Sequence, residues 1–451
     1  MRRQIWTIWA IVAAGMIAAG AVRAESDPVE KSRELYSKAL AAYNEKDYPE
    51  YLRVMREIDG IRRNHPRVVY MLAGAYALNG EKSRAIEELN RLADLGLVAE
   101  PAEDSDFNSI ANTDGFNSAV ARLADNAKPI GNSKAAFTIP QKQLIPEGIA
   151  NDPLTGYFYV SSVYQRGIVE IRPGDTNEQG AHEAHEVRSF GSWESGDGLW
   201  SVFALCVDPA RRLLWACSSA IEQTRWVTES EVGYAGVFKY DLTTRLVVER
   251  FVLSNARGKH LFGDMVLSRS GKLYVTDTIE NSIYRIDEAS GVFERWLDPQ
   301  SGFSSLQGIT FDDEERYLFV ADYSHGIFRI NSKNREIRRL PFPDDMTILG
   351  IDGIAFYNNG LIAIQNGIRP HRVIRLQLSE RLDRITGWEV LEANHPGFDE
   401  PTLGIVVPSR DRQTAAFYYV ANSHWGAFDR EGKLRESADL TEPLVLKLEL
   451  E

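Results

Sequence analysis

The sequence predicts a mainly β protein, a six-bladed β-propeller preceded by an α-helical segment, and three observations lead there. Apolar residues recur at three- and four-residue spacing over 30–126, then change to simple alternation from about residue 134. Six similar blocks follow, with starts 44 to 60 residues apart, the period of a propeller blade. The last strand-like segment, PLVLKLEL, has a natural partner in AAFTIP near Ala135, so the two ends of the repeat region can pair and close a ring.

The chain opens with MRRQ, an apolar run from Ile5 to Val22 and a small-residue site, Val22-Arg23-Ala24. That is the layout of a secretory signal peptide, and the many Ala and Gly favour cleavage after Ala24 over a retained anchor. A periplasmic or secreted protein is expected, without membrane insertion once the leader is removed. The whole chain carries a formal charge of −13, and loss of the leader's arginines makes the rest more acidic still. Nucleic acid and anionic lipid are therefore not expected partners.

Within 30–126, SRELYSKALAAYNEKDYPEYLRVMREI and VVYMLAGAYALNGEKSRAIEELNRLADLG each read as helix pairs broken by the turn signals EKD and NGE. Tyr43 and Tyr76 recur 33 residues apart, each shortly before such a turn. Here the sequence resembles tetratricopeptide repeats. Leu72, Ala73, Tyr76, Ala85 and Leu89 fall on that family's helix-contact positions, and Pro66 and Pro101 are read as ending the units. The resemblance leaves two roles open, a small stabilising cap or a groove for a protein partner.

From residue 134 to 451 the blocks begin at PEGIANDPLTGYFYVSS, VFALCVDPARRLLWACSS, FGDMVLSRSGKLYVTDT, LQGITFDDEERYLFVADY, IDGIAFYNNGLIAIQNG and TLGIVVPSRDRQTAAFYYVANS. Each is a strand, a polar turn and a second strand of β-branched and aromatic residues. A third strand such as GIFRINS usually follows. A two-sheet sandwich would not repeat six times. Cys206 and Cys217 fall on one hairpin, but Cys206 counts opposite Trp215 and Cys217 lies diagonally, so two buried free thiols are expected.

In a propeller the first strand of each blade lines the central channel, and its entrance residue joins a single rim. Those residues are Glu147, Phe203, Gly263 followed by Asp264, Gln307, Asp352, and Leu403 preceded by Thr402. Glu147 and Asp352 are thereby brought together across about two hundred residues of sequence. Acids and an amide on one narrow mouth repel each other unless a cation is bound, and their hard oxygens suit a divalent ion. An acid before glycine also has a plainer use, accepting backbone N–H groups in a tight loop.

At these positions the sequence resembles the gluconolactonase and regucalcin family of six-bladed propellers, over roughly residues 140–451. The resemblance implies a divalent metal, calcium first with zinc or magnesium as alternatives, held by Glu147 of PEGIA, Asp264, Gln307 and Asp352 of IDGIAF. It further implies that Asp352 is the base that activates water on a lactone. Two positions depart from the family pattern: Gly263 stands where an asparagine is expected, and Gln307 replaces another.

The second-strand ends add polar groups for a small-molecule substrate: Arg166 with Tyr164, Asp277 and Asn281, His325, Asn366, Arg369, His371, Asn422 and His424 with Trp425, and from the loop HPGFDEPT His395 and Glu400. Arg166 and Arg369 are candidates for a substrate carboxylate or phosphate. No GxSxG elbow, cysteine–histidine pair on the rim or glycine-rich phosphate loop is present. Two functions remain open: an exported metal-dependent hydrolase of a lactone or similar ester, and a non-catalytic propeller that binds a small ligand or protein.

Overall fold

The computed structural model describes residues 28–172, 174, 185–191, 196–299, 302–409 and 413–451. The expected leader, residues 1–24, lies outside them.

Five helices come first: α1 (Pro28–Asn44), α2 (Tyr48–Ile61), α3 (Pro66–Leu78), α4 (Lys82–Asp94) and α5 (Asp114–Asp125). Their starts are chemically marked. The Asp47 carboxylate accepts the Glu50 N–H at 3.1 Å ahead of α2, and the Thr113 hydroxyl accepts the Phe116 N–H at 3.3 Å ahead of α5. Leu72, Ala73, Tyr76, Ala85 and Leu89 are all buried in one helical core, as their spacing requires. Pro66 differs from expectation, because it opens α3 instead of ending a unit. Proline is well suited to a first helical turn, where its missing N–H costs nothing. Pro101 likewise opens a short 3₁₀ turn.

Six four-stranded antiparallel sheets follow as blades 1–6. Their inner strands are Ile149–Asn151, Ser201–Asp208, Phe262–Leu267, Leu306–Phe311, Ile351–Tyr357 and Gly404–Pro408. Blade 6 takes its outermost strand, Lys134–Thr138, from the beginning of the repeat region, with Lys134 opposite Lys447 and Thr138 opposite Leu444. The ring therefore closes as the sequence predicts. Neighbouring blades share apolar cores, for example Trp215 and Val237 of blade 2 with Phe262 and Tyr284 of blade 3. Each such side chain contributes about 1.5–3 kcal/mol by leaving water. Cys206 does lie opposite Trp215, and both cysteines are free, but only Cys217 is buried as expected while Cys206 is half-buried.

The inner strands of blades 2 to 5 share one irregularity. Each carries an extra residue near its start, between Val202 and Leu205, Phe262 and Met265, Leu306 and Ile309, and Ile351 and Ile354. A bulge of this kind bends the strand and re-aims a side chain. Here it falls on Phe203, on Gly263 and Asp264, on Gln307 and on Asp352, so these residues leave the regular ladder.

The glycine beside the rim residue has its own reason. A Cβ on Gly148 would sit 2.4 Å from the Phe203 carbonyl oxygen, on Gly308 2.5 Å from the Asp352 carbonyl oxygen, and on Gly353 2.8 Å from the Thr402 carbonyl oxygen. Adjacent blades touch backbone to backbone at these points.

The helical region sits against blade 5. Val98 N–H donates to the Arg369 carbonyl at 3.0 Å, and Ile368 is buried in the helical core. The buried Arg372 guanidinium donates to Gln365 Oε1 at 2.7 Å and to the Leu95 carbonyl, just beyond α4, at 3.1 Å. Asn64 Nδ2 donates to the Asp344 and Met346 carbonyls at 2.8 and 2.9 Å.

Gly308→Ala is expected to destabilise the protein by about 1–3 kcal/mol, the usual cost of overpacking, because its methyl group meets fixed backbone of the next blade. Urea denaturation with fluorescence detection measures this, and a stability equal to wild type would place the blades farther apart than described.

Candidate functional site

Glu147, Asp352 and Glu400 converge on the channel mouth. Glu147 and Glu400 are 9% and 7% exposed, and each carboxyl feels the field of Asp352. Glu147 Oε1 accepts the Trp425 indole N–H. Its own backbone is fixed by blade 6, since the Thr402 hydroxyl donates to the Glu147 carbonyl at 2.9 Å and the Leu403 N–H does so at 3.3 Å. Asp352 Oδ2 accepts Asn366 Nδ2 at 2.7 Å, and the same amide nitrogen donates to the Pro401 carbonyl at 2.9 Å. Both nitrogen hydrogens are thus used, which settles the orientation of the amide. Asn366 Oδ1 is buried without a hydrogen-bond partner.

Burial drives the electrostatics. It raises Glu147 well above the usual carboxylate range, reinforced by Asp352 and Glu400 and opposed by the Trp425 and Thr402 bonds. Asp352 is raised too, burial outweighing the Asn366 hydrogen bond. Glu400 is pushed up to about 8, first by burial and then by Asp352 and Asp399, with Arg369 acting in the opposite sense. Asp352 keeps part of its residue surface open, whereas Glu147 and Glu400 are buried. His371 is lowered to about 3 by burial and by Arg369, and is a neutral imidazole at pH 7.

Asp264 reaches a different place from the one the entrance pattern gives it. Its Oδ2 accepts the Ile309 N–H of blade 4 at 2.9 Å and its Oδ1 accepts the Met265 N–H at 2.8 Å. It works as a strut between blades 3 and 4, although burial and Asp352 raise it to about 7 against those two bonds. At Gly263 a Cβ would lie 2.9 Å from Thr278 Oγ1, which is itself held by donating to the Leu306 carbonyl at 2.7 Å. The asparagine of the family pattern does not fit there. Gln307 Nε2 donates to Ser305 Oγ at 3.3 Å.

Of the other predicted residues, Asn366, Arg369, His371 and Glu400 join the acids. Arg369 Nη1 lies 3.5 Å from His371 Nδ1 and feels the field of Glu400. Four do not. Arg166 donates to the Leu199 and Arg225 carbonyls at 2.8 and 3.3 Å, so its guanidinium holds a loop and is not presented to an anion. Asn422 is spent on Thr441, Glu442 and Leu444, and His424 on Asp399. His325 pairs with Asp322, whose carboxylate also gathers the Ser304, Ser305 and Ser324 N–H groups.

Sequence reasoning missed Tyr323, which faces Asp352, Glu400 and Arg369 and packs on Gly367. It also missed the stacking of Phe203 on Trp425, with ring centroids 6.4 Å apart and planes at 18°. The available signal was register: Thr278, Tyr323 and Asn366 each follow directly after the last residue of a second strand.

The mouth gathers hard oxygens of the kind a divalent cation takes, and Asn366 Oδ1 is a buried oxygen with no partner. The oxygens of Glu147, Asp352 and Glu400 are not all within 4.8 Å of one another, a spacing that among the described residues is met by His260, Asp277 and Glu280, so one ion at the mouth would be held by fewer than all three acids. Without a cation, the acids relieve their repulsion by taking up protons. Because Asp264 and Glu400 hold protons more tightly folded, at about 7 and about 8, than unfolded, at about 3.9 and about 4.3, raising the pH costs the folded state. Thermal melts in chelator should show stability falling from about pH 4 to about pH 8 and levelling above it. Stability that rises over that window would contradict the buried acid cluster.

No protein-family model matches the chain, and no curated protein matches it in sequence. Solved structures share its propeller at low identity. A candidate gluconolactonase is 13% identical, with 70% of this chain and 92% of that one covered and a TM-score of 0.42. A calcium-binding regucalcin from Agrobacterium tumefaciens is 15% identical, with 70% and 93% covered and a TM-score of 0.44. A streptogramin B lyase is 13% identical, with 70% and 97% covered and a TM-score of 0.42. At this distance chemistry does not transfer from them, and any function must be read from the residues at the mouth.

Proposed function

We propose that the protein is an exported, divalent-metal-dependent hydrolase acting on a lactone or similar ester at the channel mouth. The supporting observation is the meeting of Glu147, Asp352 and Glu400 beside the unpartnered amide oxygen of Asn366. Glu147 and Asp352 would hold the ion, which when bound supplies Lewis-acid polarisation of a carbonyl.

The chain's own residues do the remaining work. Asn366 holds Asp352 Oδ2, leaving Oδ1 to accept a proton from water. The raised basicity of Asp352 suits a general base near neutral pH. Arg369, beside the acids, is the anchor for a substrate carboxylate, and the stacked Phe203 and Trp425 form an apolar wall beside Glu147. Trp425 also orients Glu147 through its indole N–H.

Asp352→Asn is expected to lower turnover of lactones by about 10²–10⁴-fold, the usual worth of a positioned base, with a melting temperature at or above wild type because a buried charge is removed. A lactone panel run with and without chelator checks it, and unchanged turnover would assign the base elsewhere. Stoichiometric ligand binding without turnover on any ester would favour the non-catalytic propeller instead.

Export is part of the same proposal, supported by the apolar run from Ile5 to Val22 and the site ending at Ala24. Amino-terminal sequencing of protein recovered outside the cytoplasm should begin at Glu25. A product that retains Met1 would overturn cleavage.

A further inference from the structure

We infer that the helical region is a working part of the site: the turn after α4, residues 95–98, clamps the blade 5 loop 366–371 and through it sets Asn366 against Asp352. The inference rests on the proposed hydrolase with Asp352 as its base, and it gives the helices a positioning role in place of a detachable one.

The loop joins the second and third strands of blade 5, Gly360–Gln365 and Arg372–Leu378, with Gln365 opposite Arg372 at its root. A rim loop of this length is ordinarily solvated and mobile. Here the helical region holds three points of it. Ile368 is 5% exposed and belongs to the helical core with Leu95 and Leu97. The Arg369 carbonyl accepts the Val98 N–H at 3.0 Å. The Arg372 guanidinium donates to the Leu95 carbonyl at 3.1 Å and to Gln365 Oε1 at 2.7 Å. Arg372 is 1% exposed, its Nη2 has no hydrogen-bond partner, and no acid is bonded to it among the described residues. Gly96 leaves room for it, since a Cβ there would lie 2.9 Å from Arg372 Nη1. Plain packing of helices on a blade needs apolar contact alone. A buried guanidinium that no acid neutralises is costly, and it stands at the root of the loop that carries Asn366.

The same loop reaches Asp352. Gln365, held by Arg372 at its oxygen, donates from Nε2 to the Thr347 and Leu349 carbonyls at 2.9 and 2.6 Å. The next residue, Asn366, donates to Asp352 Oδ2 at 2.7 Å. Gly367 N–H donates at 3.0 Å to the carbonyl of Gly350, two residues before Asp352. The neighbouring loop of blade 4 is held in the same way. Arg62 Nη2, just beyond α2, donates at 3.1 Å to the carbonyl of Ser324, and the adjacent Tyr323 packs on Gly367. Bonds from helical residues thus order in advance a loop that would otherwise have to be ordered during the reaction.

Gly96→Ala, a change wholly within the helical region, and the milder Ile368→Val test the clamp in the full chain; the second stands in should the first fail to fold. Hydrogen exchange across residues 366–372 should become at least about tenfold faster in each, while blade 2 exchanges as in wild type. On any lactone that wild type turns over, kcat should fall about 10–100-fold, as for a catalytic group displaced by about 1 Å, with KM changed less. Placed in Asn366→Ala, the same substitutions should lower kcat no further, whereas a merely structural weakening would add its own loss. Unchanged exchange across the loop, faster exchange with wild-type turnover, or additive losses in Asn366→Ala each overturn the clamp and leave the hydrolase standing. Absence of lactone turnover by wild type ends the hydrolase reading instead, and loop exchange alone then decides whether the helices hold Asn366.

Discussion

Backbone contact between neighbouring inner strands is the constraint on which the rest depends. Gly148, Gly308 and Gly353 each lie where a methyl group would strike the next blade, and at the sixth seam Thr402 and Leu403 bond directly to the Glu147 carbonyl. With the strands this close, the residue beside each glycine has one free direction, toward the axis. The bulges in blades 2 to 5 fall at the rim residues. Charges remote in sequence are forced together because the ring packs tightly, and the site follows from that packing.

The cost of such an assembly is electrostatic. Burying unpaired carboxylates is among the most expensive things a fold can do, and the usual escape is to become neutral. Glu147, Asp352, Asp264 and Glu400 all show the upward shift that this escape implies. Asp264 offsets part of its cost by capping two N–H groups, which makes it structural. Glu400 has no such compensation, and a strained backbone, with φ 65° and its carbonyl bonded to Ser423, holds it where it is. An ionisable group kept in an unfavourable place by several other bonds is a better guide to function than an acid that has satisfied itself locally.

The fold was legible because a propeller repeats its hydrophobic pattern six times, and each repeat confirms the others. The acids Glu147 and Asp352 were legible because each precedes a glycine at the same point of a block. Asp264 was not, because it stands one residue past the rim position, where blades 4 and 5 carry Gly308 and Gly353, and from there its carboxylate reaches the backbone of blade 4. The loops after the second strands were the least legible part. Reading them for chemically versatile residues singled out Arg166, His325 and Asn422, whose polar atoms are consumed by nearby carbonyls and carboxylates. Asn366 was singled out by the same reading, and register would have led to Tyr323 as well. The stacking of Phe203 on Trp425 joins blades far apart in sequence and leaves no trace in either segment alone.

The strand Lys134–Thr138 finds its partner, Leu444–Leu450, only after some three hundred intervening residues have been made. A nascent chain therefore carries an unzipped sheet edge for almost the whole of its synthesis. The entropic cost of that long closure grows only logarithmically with length, but the delay is real, since no earlier segment can stand in for the last one. A chain crossing a membrane unfolded would meet no obstacle from this wiring, because the wheel cannot lock until its final turn of polypeptide has come through.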